Sequence, residues 1–150
     1  MNIEDLIKTK AKLPLHKRVL INLIYTERIL KEQINTELKS FDISIQQFNV
    51  LRILKGQQGT PANLSTIQER MVNKMSNTTR LVDKLLNKGL VERRICPANR
   101  RKIEITITQE GLNFLKEVDP VIEDLEKKIT APFTQSELEQ FNTLLDKLRS

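Results

Sequence analysis

Between Gly89 and Thr108 the apolar residues change their period. Upstream they recur every three or four positions, the step of a helix face. Over Val91–Cys96 and again over Lys102–Ile107 they alternate instead, with Ile103, Ile105 and Ile107 separated by Glu104 and Thr106. Two alternating, β-branched runs joined by a Pro- and Asn-containing turn read as a β-hairpin, with its tip over Pro97–Arg101. After Thr108 the helical period returns. The fold class is therefore mainly α with one small β-hairpin.

The helical segments carry their own punctuation. From Leu15 to Leu38 the residues Val19, Leu20, Leu23, Ile24, Leu30 and Ile34 form one long apolar stripe. Ser44 followed by Gln47 is a capping-box pair that opens a second helix, with Phe48, Leu51 and Leu54 inward and Gly56 at its end. A short helix follows, capped by Asn63 or Ser65, with Leu64, Ile67 and Met71 inward. Asn73 is suited to cap the next, roughly Lys74 to Asn87, whose inward residues are Met75, Leu81, Val82, Leu85 and Leu86. Gly89 stops it. Thr108 caps a further helix that Pro120 kinks or breaks, with Asp119 as the new cap. Thr134 and Glu137 form another capping box before a last stripe of Leu138, Phe141, Leu144, Leu145 and Leu148.

A short helix, a tight connection at Val72-Asn73, a second helix and a hairpin is the order of a winged helix-turn-helix. The charge agrees with that order. Residues 70–102 hold ten Lys and Arg against Asp83 and Glu92, a net +8, where the whole chain carries +6. A local basic patch is the electrostatic footprint of a polyanion. A helix fits the major groove of double-stranded DNA, where Asn and Arg pair with adenine and guanine edges. The outward residues of the 74–87 helix are Ser76, Asn77, Thr79, Arg80 and Lys84. Ser76 and Asn77 are candidate base or backbone contacts, Arg80 a backbone or base contact, and Lys84 a phosphate contact. Arg100, Arg101 and Lys102 at the hairpin tip are placed to meet the neighbouring minor groove, whose negative potential attracts cations. Asp83, acidic within the patch, is expected to orient an arginine of the wing or helix.

The stretch SNTTRLVDKLLNKGLVERR, followed by NRRKIEITITQEG, resembles the MarR family of bacterial transcription regulators. Thr79, Arg80, Leu81, Asp83, Leu85, Gly89, Leu90, Val91 and Arg93 fit the family's recognition-helix pattern, and Arg101, Ile105, Ile107, Thr108 and Gly111 fit its wing pattern. Asn99 stands where the family usually carries Asp. The resemblance implies one domain over 1–150, with a DNA-binding lobe at about 41–108 and dimerisation helices at about 1–40 and 109–150. It implies a homodimer on a pseudo-palindromic operator, acting as a repressor that a small amphipathic or aromatic ligand relieves. By the same match Arg101 is the minor-groove residue.

Other function classes fare worse. One histidine and one cysteine, far apart in sequence, and no glycine-rich phosphate loop leave no catalytic constellation, so no enzyme and no cofactor is expected. His16 and Cys96 alone make no zinc site, and a single cysteine excludes an internal disulfide. No apolar run reaches a membrane span, and MNIEDLIKTKAK lacks the apolar core of a signal peptide, so a cytoplasmic protein is expected. Two alternatives stand beside the DNA-binding reading. One is a winged helix that binds proteins only; it would lack the outward Asn/Arg pattern and the basic wing. The other is a redox-responsive regulator built on Cys96 at the wing base beside Arg93 and Arg94.

Overall fold

In the computed structural model, which describes residues 1–150, the chain forms seven helices and a single two-stranded hairpin. The elements run α1 Ile3–Leu6, α2 Leu15–Lys39, α3 Ile45–Gly56, α4 Leu64–Arg70, α5 Thr78–Asn87, β1 Val91–Cys96, β2 Asn99–Ile107, α6 Gln109–Thr130 and α7 Gln135–Arg149. The chain divides into two units, Met1–Asp42 and Ile43–Ser150. No helix is long and apolar enough to cross a membrane.

The first unit holds α1 packed on α2, with Arg18 Nε and Glu4 Oε1 3.3 Å apart. Helix α1 is a single turn. It forms on a local capping box in which Asn2 and Asp5 satisfy each other's backbone N–H groups. Along α2 the residues Leu15, Val19, Leu20 and Ile24 lie exposed.

In the second unit α3 is the hub, packing against α4, α5, α6 and β2. Phe48, Leu51, Leu54, Ile67, Met71, Val82, Leu85, Val91, Ile105, Leu115, Val118 and Ile122 are buried in it. Its boundaries follow the caps. Ser44 and Gln47 close a capping box on α3, Asn63 caps α4, and Thr134 with Glu137 closes a box on α7. The strands pair antiparallel from Val91↔Ile107 to Ile95↔Ile103, and the register shifts before Cys96↔Asn99. The root of the hairpin belongs to the core, since Ile105 is 0% exposed; its outer half leaves the core, since Ile95 is 63% exposed. A further bridge joins the root to the loop before α4, where Ala62 and Ile105 exchange both backbone hydrogen bonds at 3.0 and 2.7 Å.

Thr108 links the wing to α6. Its hydroxyl donates to Gly89 O at 2.7 Å and accepts from Gly111 N–H at 3.0 Å, while its own N–H donates to Leu90 O. Gly89 adopts φ +73, a left-handed conformation that ends α5 and turns the chain into β1.

Several sequence expectations are corrected. Helix α5 begins at Thr78 rather than near Lys74, because Asn77 and not Asn73 supplies its cap, accepting from Arg80 N–H at 3.1 Å. The connection from α4 to α5 therefore spans Met71–Asn77 rather than two residues. Met75 falls in that connection and is 91% exposed, not inward. The hairpin turn is confined to Pro97-Ala98, so Asn99, Arg100 and Arg101 open β2 instead of forming the turn. Helix α6 runs unbroken through Pro120. Val118 and Ile122 on either side of it are both buried, and that burial offsets the roughly 3 kcal/mol that an internal proline costs. Asp119 caps nothing; its carboxylate pairs with Lys55 of α3 at 3.3 Å.

Candidate nucleic-acid interface

The turn that delivers α5 is tied down by side chains. Gln68 of α4 donates to Lys74 O at 2.9 Å and accepts from the Thr78 hydroxyl. Asn49 of α3 accepts from Val72 N–H at 3.0 Å. Asn73 accepts from Met75 N–H at 3.0 Å, and its carbonyl accepts from Ser76 N–H. An irregular seven-residue connection is thus held in one shape by Asn and Gln side chains, which suit turns because they bond to nearby backbone.

An open cleft runs between the start of α3 and the outer face of α5. It is lined by Ser44, Gln46, Gln47, Asn73, Met75, Ser76, Asn77, Arg80, Leu81 and Lys84. Four of the sequence-selected residues, Ser76, Asn77, Arg80 and Lys84, therefore share one surface. Thr79 is exposed on α5 outside this cleft, and Arg100, Arg101 and Lys102 stand exposed on the wing. The Ser76 hydroxyl is shut away from solvent with no partner, so the residue lines the cleft mainly with other atoms. Asn77 commits one lone pair of Oδ1 to the cap and keeps its amide donors free.

Asp83 and Glu104 are each paired with an arginine of β1, whereas Arg80, Lys84, Arg100, Arg101 and Lys102 make no ion pair. Asp83 faces Arg93 of β1 across 3.7 Å, which leaves Arg80, the other candidate for that carboxylate, without an ion pair. Glu104 accepts from Arg94 Nε at 2.7 Å across the hairpin. That arginine, with a second hydrogen bond from Cys96, holds the Glu104 carboxyl below the usual carboxylate range. A lowered carboxylate pKa means the link is made at neutral pH and is lost as pH falls through the acid range. Arg93 and Arg94, shortly before Cys96 in sequence, are thus both occupied by carboxylates, and the thiol bonds to a carboxylate as well. At the tip, Asn99 Oδ1 accepts from Arg101 N–H at 3.0 Å, so the amide shapes the backbone where the family usually has a carboxylate.

Sequence reading missed Gln46 and Met75 as members of this surface. The signal was present in the pair Asn73 and Asn77, either of which can cap a helix. Choosing the second moves the helix start by four residues and turns Met75 out.

A groove-width helix entered through a fixed turn, beside a hairpin that presents unpaired cations, defines a winged helix-turn-helix lobe. Residues 43–103 match the MarR family model. That lobe is similar to the MarR family, and the relatives the chain resembles are transcription regulators rather than enzymes. The chain is 27% identical over 153 residues to the transcriptional repressor MprA of Escherichia coli K12, covering 99% of this chain and 87% of that one. The fold is shared with the organohalide-sensing regulator RdhR-CbdbA1625 in its 2,4-dichlorophenol-bound form, at a TM-score of 0.82 and 20% identity over 92% of this chain and 81% of that one. It is shared too with Staphylococcus aureus MepR in complex with DNA, at 0.71 and 21% identity over 86% and 91%.

Proposed function

We propose that the protein is a homodimeric repressor of a near-palindromic double-stranded operator, with α5 in the major groove, the wing in the minor groove, and release by a small amphipathic or aromatic ligand. The observation that carries this reading is the set of exposed cations without ion pairs, Arg80 and Lys84 on α5 and Arg100, Arg101 and Lys102 on the wing. Two grooves of one duplex face are the partner that a helix and a hairpin of this charge fit together. MprA is itself a repressor, and MepR has been seen on DNA. Exposed apolar stripes on α2 and α7 suit a second copy of the chain, and a two-fold pair sets its recognition helices about 34 Å apart, one turn of DNA. The ligand step is supported by the dichlorophenol-bound state of RdhR-CbdbA1625. Such a ligand acts only through unequal affinity for the DNA-bound and released states. A regulator working on a bacterial chromosome does so in the cytoplasm.

The test begins with operators selected from random duplexes. Arg101→Ala is expected to weaken operator binding about tenfold and to flatten the salt dependence by about one counterion, with circular dichroism and dimer mass unchanged. Affinity equal to the parent's would remove the wing from the interface. Asn77 needs two variants because it is also a cap. Asn77→Ala is expected to cost about 1 kcal/mol of stability in a melting experiment. Asn77→Ser keeps an acceptor for Arg80 N–H but loses the paired amide, so it should melt near the parent while relaxing preference at one base pair by roughly 1–3 kcal/mol. A uniform loss across all duplexes would make Asn77 a positioning contact.

A further inference from the structure

Met75 is an apolar side chain held out on a polar, cationic face. It is 91% exposed. It lines the cleft with Gln46, Asn77, Arg80 and Lys84, and apart from Leu81 every other side chain lining that cleft is polar or charged. The exposure belongs to a fixed backbone: Met75 N–H donates to Asn73 Oδ1, the preceding carbonyl accepts from Gln68, and Ser76 N–H donates to Asn73 O. Val72 is also exposed, at 87%, but does not line the cleft.

We infer that Met75 is a specificity-determining residue that reads the C5-methyl group of a thymine in the major groove, an inference that rests on the proposed seating of α5 in that groove. The major-groove edge of the bases offers donors, acceptors and a single apolar group, the thymine methyl. An exposed thioether beside Arg80 and Lys84 has that methyl as its matching surface once the two cations draw the phosphates in. Methionine is unbranched and polarisable, so it closes onto a methyl without demanding one rigid geometry. The amide of Asn77 and the guanidinium of Arg80 read polar edges. Met75 supplies what they lack, a means of telling thymine from cytosine or uracil by contact alone. In a two-fold dimer each half-site carries one such position.

Replacing thymine by deoxyuridine, one position at a time, in an operator selected from random duplexes removes the methyl and leaves pairing and phosphates intact. The full-length protein is expected to lose about fourfold in affinity at one thymine per half-site, and about fifteenfold when both are replaced. Met75→Ala should bind the thymine and deoxyuridine duplexes equally, whereas Met75→Leu should keep most of the discrimination. Both variants should melt with the parent, since the side chain is almost wholly exposed. The inference is overturned if the parent binds every deoxyuridine duplex as it binds the operator, or if Met75→Ala still discriminates. In either case operator binding itself stands. Failure of the parent to bind any duplex in dilute buffer would instead remove the DNA reading and this inference with it.

Discussion

Replacing Gly111 with alanine is expected to lower the unfolding free energy by about 3 kcal/mol and the melting temperature by roughly 10 °C. A Cβ at this position would lie 2.2 Å from the carbonyl oxygen of Leu90 and 2.6 Å from Cγ1 of Ile107. The first is backbone and cannot swing aside. The same carbonyl accepts from Thr108 N–H, and Gly111 N–H donates to the Thr108 hydroxyl, so relieving the clash breaks the joint between wing and α6. Gly56→Ala is the matched control. A Cβ added there meets nothing within 4 Å beyond its own stretch of helix, and the substitution removes backbone freedom from the unfolded chain, so it is expected to be neutral or to stabilise by up to about 1 kcal/mol. Thermal melts of the two variants beside the parent check both. A Gly111→Ala protein melting with the parent would show that α6 seats farther from β1 than described.

Removal of residues 134–150 is expected to abolish the proposed dimer. No residue of α7 is buried, yet it carries an apolar stripe of Phe141, Leu144 and Leu148, and the Phe133 and Phe141 rings stack with centroids 6.3 Å apart. Phe133, Phe141 and Leu144 also line an open pocket with Glu137 and Gln140. A helix with this face draws its stability from a partner surface rather than from its own propensity. Sedimentation should report monomers or aggregates for the truncated chain. Affinity for the complete operator should fall by roughly 10²–10⁴, the gain that linking two half-site contacts provides, while affinity for a single half-site is retained. A stable truncated dimer would place the interface elsewhere.

What the sequence announces and what it conceals divide along physical lines. Ser44 with Gln47, Thr134 with Glu137, and Thr108 mark helix starts because a short acceptor satisfies free N–H groups wherever the following residues are helical. The hairpin shows itself because Ile103, Ile105 and Ile107 alternate against a core that needs only one face. Asn73 and Asn77 compete for the same role, and tertiary bonds from Gln68 and Asn49 decide between them. Pro120 reads as a break because the burial of Val118 and Ile122 is invisible to local rules. Of the site, the wing cations and the Arg80–Lys84 face are legible from charge and period. Met75 is not, because an apolar residue next to a helical stripe looks like part of it.

The paired bonds between Ala62 and Ile105 couple the root of the wing to the segment that leads into α4. With Gln68 also holding the start of α5, hairpin and helix form a gauge of fixed opening. Any duplex touched by both jaws must supply the matching groove spacing itself. On the proposed seating, stiff tracts carry an elastic cost that pliable pyrimidine–purine steps avoid, and part of the selectivity is expected to fall on base pairs that no side chain reaches.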